Sequence, residues 1–183
     1  MKVFLDFEAS SLSDHSYPIE IAWVFQDGRS ESHLIVPAPG WEDWDAAAQA
    51  IHGINRTMLA AEGERHDVVA GRMIEALTGH DLFASAPSWD GKWLSRLLRA
   101  AKLPRHLLRL RDTDEALRET ATEILRSALP LPRLDVEVHA IIAAATADKP
   151  HQPAHRALAD AVAERETWVR ARQAARDLLV EIE

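Results

Sequence analysis

Apolar runs near the start of the chain predict a β-sheet. Residues 2–7 and 17–26 are short segments rich in aromatic and β-branched side chains, which predict two buried strands, and residues 32–36 predict a third. The dipeptide Asp27-Gly28 between the second and third segments is typical of a hairpin turn. We therefore expect the first three strands to form an antiparallel meander.

Helical periodicity dominates the rest of the chain. Helices are predicted over residues 42–50, 67–77, 89–101, 113–128, 134–147 and 154–180. Two short apolar runs, residues 81–86 and 106–110, predict a fourth and a fifth strand among them. Strands first and helices later favour a mixed α/β fold, and 183 residues suffice for a single domain, which we take to span 1–183.

The composition excludes several kinds of protein. The chain has no cysteine, which excludes a disulfide framework, a thiolate zinc site and a cysteine nucleophile. No apolar run approaches the ~20 residues of a transmembrane helix. Acidic residues within the first ten positions argue against a targeting segment. We therefore expect a cytoplasmic protein without membrane contact.

The charge distribution is uneven along the chain. The net charge of −8 argues against coating of long nucleic acid by charge alone. However, residues 91–111 contain seven Lys or Arg and no Asp or Glu, which leaves 14 basic against 29 acidic residues elsewhere. This pattern fits a protein that contacts a phosphate chain at one place, and it also fits an ordinary solvated helix face.

Two carboxylates interrupt the first predicted strand. Asp6 lies within an apolar run, where an ionised carboxylate is costly to bury unless it is paired or binds a metal. Glu8 follows two positions later, so both side chains point to the same face of a strand. This spacing suits two oxygens that converge on a hard cation such as Mg²⁺ or Mn²⁺. Alternatively, the strand ends at Leu5 and both acids are solvated.

Three later residues extend this set. Asp90 follows the predicted strand 81–86, at the kind of strand end where α/β proteins bind ligands, although an acid there also favours the helix dipole. His155 follows two prolines, and Asp160 lies within the last predicted helix. Residues five apart on one helix diverge, so His155 and Asp160 approach one site only if His155 lies on the preceding loop.

Together these residues match a known catalytic inventory. Four carboxylates can neutralise two divalent cations, as in two-metal phosphodiester hydrolysis. An imidazole that titrates near neutral pH can accept the proton of the attacking water.

Three segments resemble the exonuclease motifs of the DEDDh 3′–5′ exonucleases. They are Asp6-Phe7-Glu8-Ala9-Ser10, Trp89-Asp90 and His155-Arg156-Ala157-Leu158-Ala159-Asp160-Ala161. The last segment matches every fixed position of the family pattern His-x-Ala-Leu-x-Asp-Ala. Residues 17–22 and the segment Ile51-His52-Gly53-Ile54 resemble two further family segments, in the family's order, so the similarity spans residues 1–165.

The resemblance implies a fold, a cofactor and an activity. The fold would be ribonuclease H-like, an α/β fold with a central five-stranded mixed sheet flanked by helices and with extra C-terminal helices. By position, the ligands of two Mg²⁺ or Mn²⁺ ions would be Asp6, Glu8, Asp90 and Asp160, and His155 would be the general base. The reaction would be stepwise hydrolysis at the 3′ end of single-stranded RNA or DNA, releasing nucleoside 5′-monophosphates.

Substrate contacts are predicted around these residues. The backbone N–H groups of Ala9 and Ser10, in the turn after Glu8, would meet the terminal nucleotide, and His52 is a further candidate contact. Lys92 and Arg96, on the helix after Asp90, would reach phosphates upstream of the scissile bond.

A departure from the family pattern motivates an alternative function. Ser85 and Ala86 stand where the family commonly has His and Asn before the second motif. The alternative is a catalytically weak nuclease-fold module that binds nucleic acid or a protein partner. A zinc hydrolase is disfavoured because hard oxygen ligands dominate the set. The last predicted helix would either cover the sheet or mediate a homodimer.

Overall fold

A computed structural model of the protein describes residues 1–148 and 154–182, which form six strands and seven helices. The strands are β1 (Lys2–Ala9), β2 (Pro18–Phe25), β3 (Ser30–Val36), β4 (Glu64–Arg65), β5 (Asp81–Ala84) and β6 (Leu110–Asp112). The helices are α1 (Ala46–His52), α2 (Arg56–Glu62), α3 (His66–Leu77), α4 (Pro87–Ala100), α5 (Thr113–Leu125), α6 (Leu131–Ala147) and α7 (Ala157–Ile182).

The strands form one mixed sheet in the order β4-β3-β2-β1-β5-β6. The pairs β1–β2 and β2–β3 are antiparallel, which confirms the predicted meander, and the pairs β3–β4, β1–β5 and β5–β6 are parallel. The sheet therefore has six strands rather than the expected five. The additional strand, β4, was missed because its two residues are exposed and too short for any periodicity.

The predicted position of the last strand is wrong. β6 occupies Leu110–Asp112 instead of residues 106–110, because the preceding residues form a turn after Pro104. In that turn, the backbone N–H of Leu107 donates to the carbonyl of Pro104, and the Leu107 side chain is exposed. An apolar side chain on a loop thus resembled the start of a strand.

Helices cover both faces of the sheet. Val3, Leu5 and Phe7 of β1 pack in one core cluster with residues of α3 and α4. Phe4 lies on the opposite face and packs in a second cluster with residues of α5, α6 and α7. The long segment between β6 and α7, to which the sequence assigned no role, therefore builds this second half of the core.

The described helices leave no candidate for a membrane crossing, since none of them is both long enough and apolar enough.

Candidate functional site

Three acidic side chains from the two ends of the chain converge beside β1. Asp6 and Glu8 share one face of the strand, and Asp160 reaches them from the first turn of α7. One carboxylate oxygen of each lies within 4.8 Å of the others. Because Mg²⁺–oxygen bonds measure about 2.1 Å, oxygens at such separations can share one ion after small side-chain adjustments.

Asp90 adds a fourth carboxylate from the first turn of α4. The residue is only 2% exposed, and its Oδ2 atom accepts no hydrogen bond from any described residue. Burial raises the pKa of Asp90 to about 7, while the backbone N–H groups of Ala86 and Phe7 act in the opposite direction. The influence of Phe7 places this carboxyl group next to the middle of β1. A buried carboxylate oxygen without a donor is costly, and a cation would provide the missing partner.

The carboxylates of β1 strongly perturb each other. Burial, followed by the charges of Asp90 and Glu8, raises the pKa of Asp6 to about 9. Burial also raises the pKa of Glu8 to about 8, with Asp160 acting in the same direction. Without a cation, the cluster therefore favours protonated carboxyl groups. The donor set consists of hard oxygens, which is the chemistry that Mg²⁺ and Mn²⁺ prefer.

Glu164 is a fifth acid at this site that the sequence analysis missed. It lies four residues after Asp160 on α7 and is 8% exposed. Its charge raises the pKa of both Asp6 and Asp90, so it belongs to the same electrostatic cluster. The signal was present in the sequence, because two acids four positions apart face the same side of a helix.

His155 lies on the loop just before α7, as the spacing to Asp160 required. It adopts a left-handed backbone conformation with φ 52° and is half-buried. The residue before it is anchored, because the backbone N–H of Ala154 donates to Asp160 Oδ1 at 2.9 Å. Within the described residues, the group of converging oxygen atoms consists of the three carboxylates alone.

An ion pair with a buried carboxylate anchors the other side of this loop. Glu20 on β2 is 2% exposed and accepts hydrogen bonds from Arg156, of which the Nη2–Oε1 contact measures 2.7 Å. The backbone N–H of Ala157 donates to the other oxygen of Glu20 at 2.9 Å. The segment that carries His155 is thus attached to the central part of the sheet.

The turn after β1 is held by hydrogen bonds of its own. The backbone N–H of Ser10 donates to the carbonyl of Tyr17 at 2.9 Å, and its hydroxyl donates to Asp43 at 2.9 Å. The hydroxyls of Ser11 and Ser13 also donate to Asp43. Ser10 and the neighbouring Ala9 are both buried. Contacts of Ala9 and Ser10 with a nucleotide remain predictions, and the structure shows Ser10 bracing the turn.

His52 lies close to the His155 loop. It is 5% exposed, and its Nδ1 accepts the backbone N–H of Ile54 at 3.0 Å. Burial lowers the pKa of His52, Glu20 raises it, and Arg156 and His155 lower it further. These influences place the His52 ring beside the loop of the predicted general base.

Lys92 and Arg96 lie on the solvent-facing side of α4, at the turn that follows β1. Lys92 Nζ donates to the carbonyl of Ser13 at 2.7 Å and lies over the ring of Trp89. The Arg96 guanidinium lies 5.6 Å from the ring centre of Trp41. Two cationic side chains and two aromatic rings therefore lie together around the turn that follows β1.

Comparisons with known proteins agree on the fold alone. No protein-family model matches the chain, and no curated protein sequence matches it. The zinc-bound complex of E. coli exonuclease I with single-stranded DNA matches with a TM-score of 0.65 and 20% identity, over 98% of this chain and 42% of that chain. The complex of E. coli exonuclease I with a dT13 oligonucleotide matches with a TM-score of 0.62 and 18% identity, over 90% of this chain and 39% of that chain.

The expected exonuclease fold is thereby confirmed, with six strands in place of five. The chain spans about two fifths of the length of the exonuclease I chains that it matches.

Proposed function

We propose that this protein is a metal-dependent 3′–5′ exonuclease. It would hydrolyse phosphodiester bonds at the 3′ end of single-stranded nucleic acid and release nucleoside 5′-monophosphates. The observation that carries the proposal is the convergence of Asp6, Glu8 and Asp160, with the buried Asp90 beside them, in a fold shared with exonuclease I.

Asp6, Glu8, Asp90 and Asp160 would hold two divalent cations, Mg²⁺ or Mn²⁺. The fit is supported by the oxygen-only donor set and by the buried Asp90 Oδ2, which accepts no hydrogen bond from the described residues. When bound, such ions lower the pKa of a water molecule and stabilise the negative charge that develops on the leaving oxygen.

His155 would accept the proton of the attacking water on a ring nitrogen. An imidazole suits this role at neutral pH. Its position on the loop, outside α7 and five residues before Asp160, allows the ring to reach the space beside the carboxylates.

The substrate would be a single-stranded end of RNA or DNA. Lys92 and Arg96 would contact phosphates upstream of the scissile bond, and the neighbouring rings of Trp89 and Trp41 offer surfaces for base stacking. His52 would contact the terminal nucleotide. The oligonucleotide complexes of exonuclease I support this substrate class.

The alternative function is a nuclease-fold module that binds nucleic acid or a protein partner with little catalysis. Ser85 and Ala86, which replace the family's His and Asn, favour it. The intact acidic cluster argues against it, because a binding module has no need of four carboxylates that are costly to bury together. A homodimer and a cytoplasmic location remain predictions from the sequence.

The proposal is tested with single-stranded RNA and DNA oligonucleotides that carry a 5′ label. With Mg²⁺ or Mn²⁺, we expect a ladder of products that shortens from the 3′ end, and we expect EDTA to abolish it. Asp6→Ala is the control, which should bind the oligonucleotide without shortening it. Binding by the wild type without shortening, under every cation and on both substrates, would favour the alternative function.

A further inference from the structure

Glu20 is a buried carboxylate in an electrostatically unfavourable position. It lies on β2 directly opposite Glu8 of β1, and it is 2% exposed. Like charges that face each other across two strands are destabilising, and burial adds to the cost. The protein must therefore stabilise Glu20 with hydrogen-bond donors, and the residues that supply them indicate what Glu20 does.

Within residues 1–148 and 154–182, all the hydrogen-bond donors to Glu20 come from the two residues that follow His155. Arg156 donates from Nη2 at 2.7 Å and from Nε at 3.2 Å, and the backbone N–H of Ala157 donates at 2.9 Å. On the other side of His155, the backbone N–H of Ala154 donates to Asp160. His155 is therefore held between an anchor on the sheet and an anchor on α7.

The backbone of His155 needs such anchors. Its φ of 52° lies in the left-handed region, which is unfavourable for a residue with a Cβ atom. A conformation of this kind persists only where surrounding contacts enforce it. The two hydrogen bonds on either side of the residue, from Ala154 and Ala157, supply this constraint.

We propose that Glu20 is a positioning residue, which acts through Arg156 and Ala157 to fix the His155 imidazole beside the carboxylates of β1 and α7. The proposal rests on the exonuclease function proposed above. In this role, Glu20 itself would contact neither the substrate nor a cation. The positive charge of Arg156 acts on both Glu8 and Glu20, so the same side chain offsets the repulsion between the two carboxylates.

The main test is the variant Glu20→Gln, which keeps the shape of the side chain and removes its charge. A misplacement of about 1 Å can cost about 100-fold in rate. We therefore expect kcat on a single-stranded oligonucleotide to fall about 30- to 100-fold. KM should change by less than about twofold, and kcat is compared at saturating Mg²⁺ for each variant, because the charge of Glu20 also acts on Glu8.

Glu31→Gln is a matched control. Glu31 on β3 forms a similar two-pronged pair with Arg72 of α3, at 2.6 and 2.8 Å. Among the residues that the structure describes, this pair makes no hydrogen bond to the acidic cluster or to residues 154–157. We expect its kcat to remain within about twofold of the wild type. An unchanged kcat in Glu20→Gln, or an equal loss in both variants, would overturn the proposal.

A double-mutant cycle separates positioning from a general effect on folding. In the His155→Ala background, the imidazole is absent, so Glu20→Gln should cause less than about a twofold further loss of kcat. A further loss as large as in the wild-type background would mean that Glu20 acts on the fold rather than on His155. All assays are run well below the thermal midpoint of each variant.

Arg156→Lys serves as a second variant, which keeps the positive charge but loses the two-pronged guanidinium group. We expect it to lower kcat in the wild-type background and to have little effect in the His155→Ala background.

A spectroscopic measurement tests the positioning role without relying on activity. In protein with ¹³C-labelled histidine, the ring signal of His155 is assigned by its loss in His155→Ala. We expect Glu20→Gln or Arg156→Lys to shift or broaden this signal. The signal of His139, which is exposed on α6, should stay unchanged in these variants. The His155 signal should also stay unchanged in Glu31→Gln. An unmoved His155 signal would reject the positioning role. Inactivity of the wild type would reject the exonuclease function separately.

Discussion

The two faces of β1 differ in what they contribute to the protein. On one face, Val3, Leu5 and Phe7 are buried in a wholly apolar cluster with α3 and α4. The opposite face begins with Phe4 in the second core cluster, but it continues into the carboxylates of Asp6 and Glu8. A single strand thus supplies apolar packing on one side and a costly acidic centre on the other, and substitutions on the two faces should separate stability from activity.

The largest effect is expected from Asp6→Asn on the acidic face. Divalent ions contribute several kcal/mol to transition-state stabilisation, and each 1.4 kcal/mol corresponds to about a factor of ten. We therefore expect the exonuclease rate to fall about a thousandfold. The thermal midpoint of the metal-free variant should rise, because a buried and repelled carboxylate has been removed. Activity assays and thermal unfolding in EDTA check the two parts.

Leu5→Ala on the apolar face is the counterpart of this variant. Leu5 is fully buried, so its truncation should cost about 2–5 kcal/mol of unfolding free energy. Activity measured well below the lowered thermal midpoint should stay close to that of the wild type. If Asp6→Asn proved less stable than the wild type in EDTA, the assignment of opposite contributions to the two faces would be wrong.

The next effect is a dependence of stability on pH that arises from the acidic face. Burial raises the folded-state pKa values of Asp6, Glu8 and Asp90 to about 9, 8 and 7. The folded protein therefore binds more protons than the unfolded chain between about pH 4 and pH 9, and its stability falls as the pH rises through this window. We expect the thermal midpoint in EDTA to decrease from pH 5.5 to pH 9.

Saturating Mg²⁺ should change this profile, because it binds the deprotonated carboxylates. The rise in thermal midpoint on adding Mg²⁺ should be larger at pH 8 than at pH 6. In Asp6→Asn, both the pH slope in EDTA and the response to Mg²⁺ should be smaller. Identical pH profiles for the wild type and Asp6→Asn would contradict the account of the acidic face.

The smallest effect is expected at the edge of the site, from Lys92→Ala and Arg96→Ala. For single-stranded nucleic acid, each phosphate contact contributes about 0.7 to the slope of the logarithm of the binding constant against the logarithm of the salt concentration. We expect each variant to raise KM a few-fold for a ten-nucleotide substrate and to make this KM less dependent on salt concentration. KM for a dinucleotide should stay unchanged. Arg118→Ala is the control, because Arg118 is exposed on α5, on the opposite side of the sheet. The same salt dependence in all three variants would remove Lys92 and Arg96 from the substrate path.

Local patterns predicted most of the fold. The meander of β1 to β3 and the long helices were predicted because each has a strong period of its own. The short helix α2 was missed, although Asn55 caps it by accepting the backbone N–H of Met58. The strands β4 and β6 have two and three residues, and they exist because neighbouring strands pair with them, which no local pattern records.

The acidic residues of the candidate site were predictable from the sequence, whereas the contacts that hold their surroundings in place were not. Asp6, Glu8 and Asp90 stand out because an acid within or after an apolar strand is unusual. Glu20 and Arg156 are 136 positions apart, so their contact becomes visible only once the sheet and α7 are packed together. The same is true of Asp43, which collects its serine hydroxyls from a turn some 30 residues earlier.

The acidic cluster also has a consequence for the order of events during synthesis. Asp160 is synthesised about 150 residues after Asp6 and Glu8. A growing chain therefore lacks one of the three converging carboxylates, and it cannot complete the cluster until α7 has emerged and docked against the sheet. The proposed exonuclease would thus acquire its activity only after translation has passed α7.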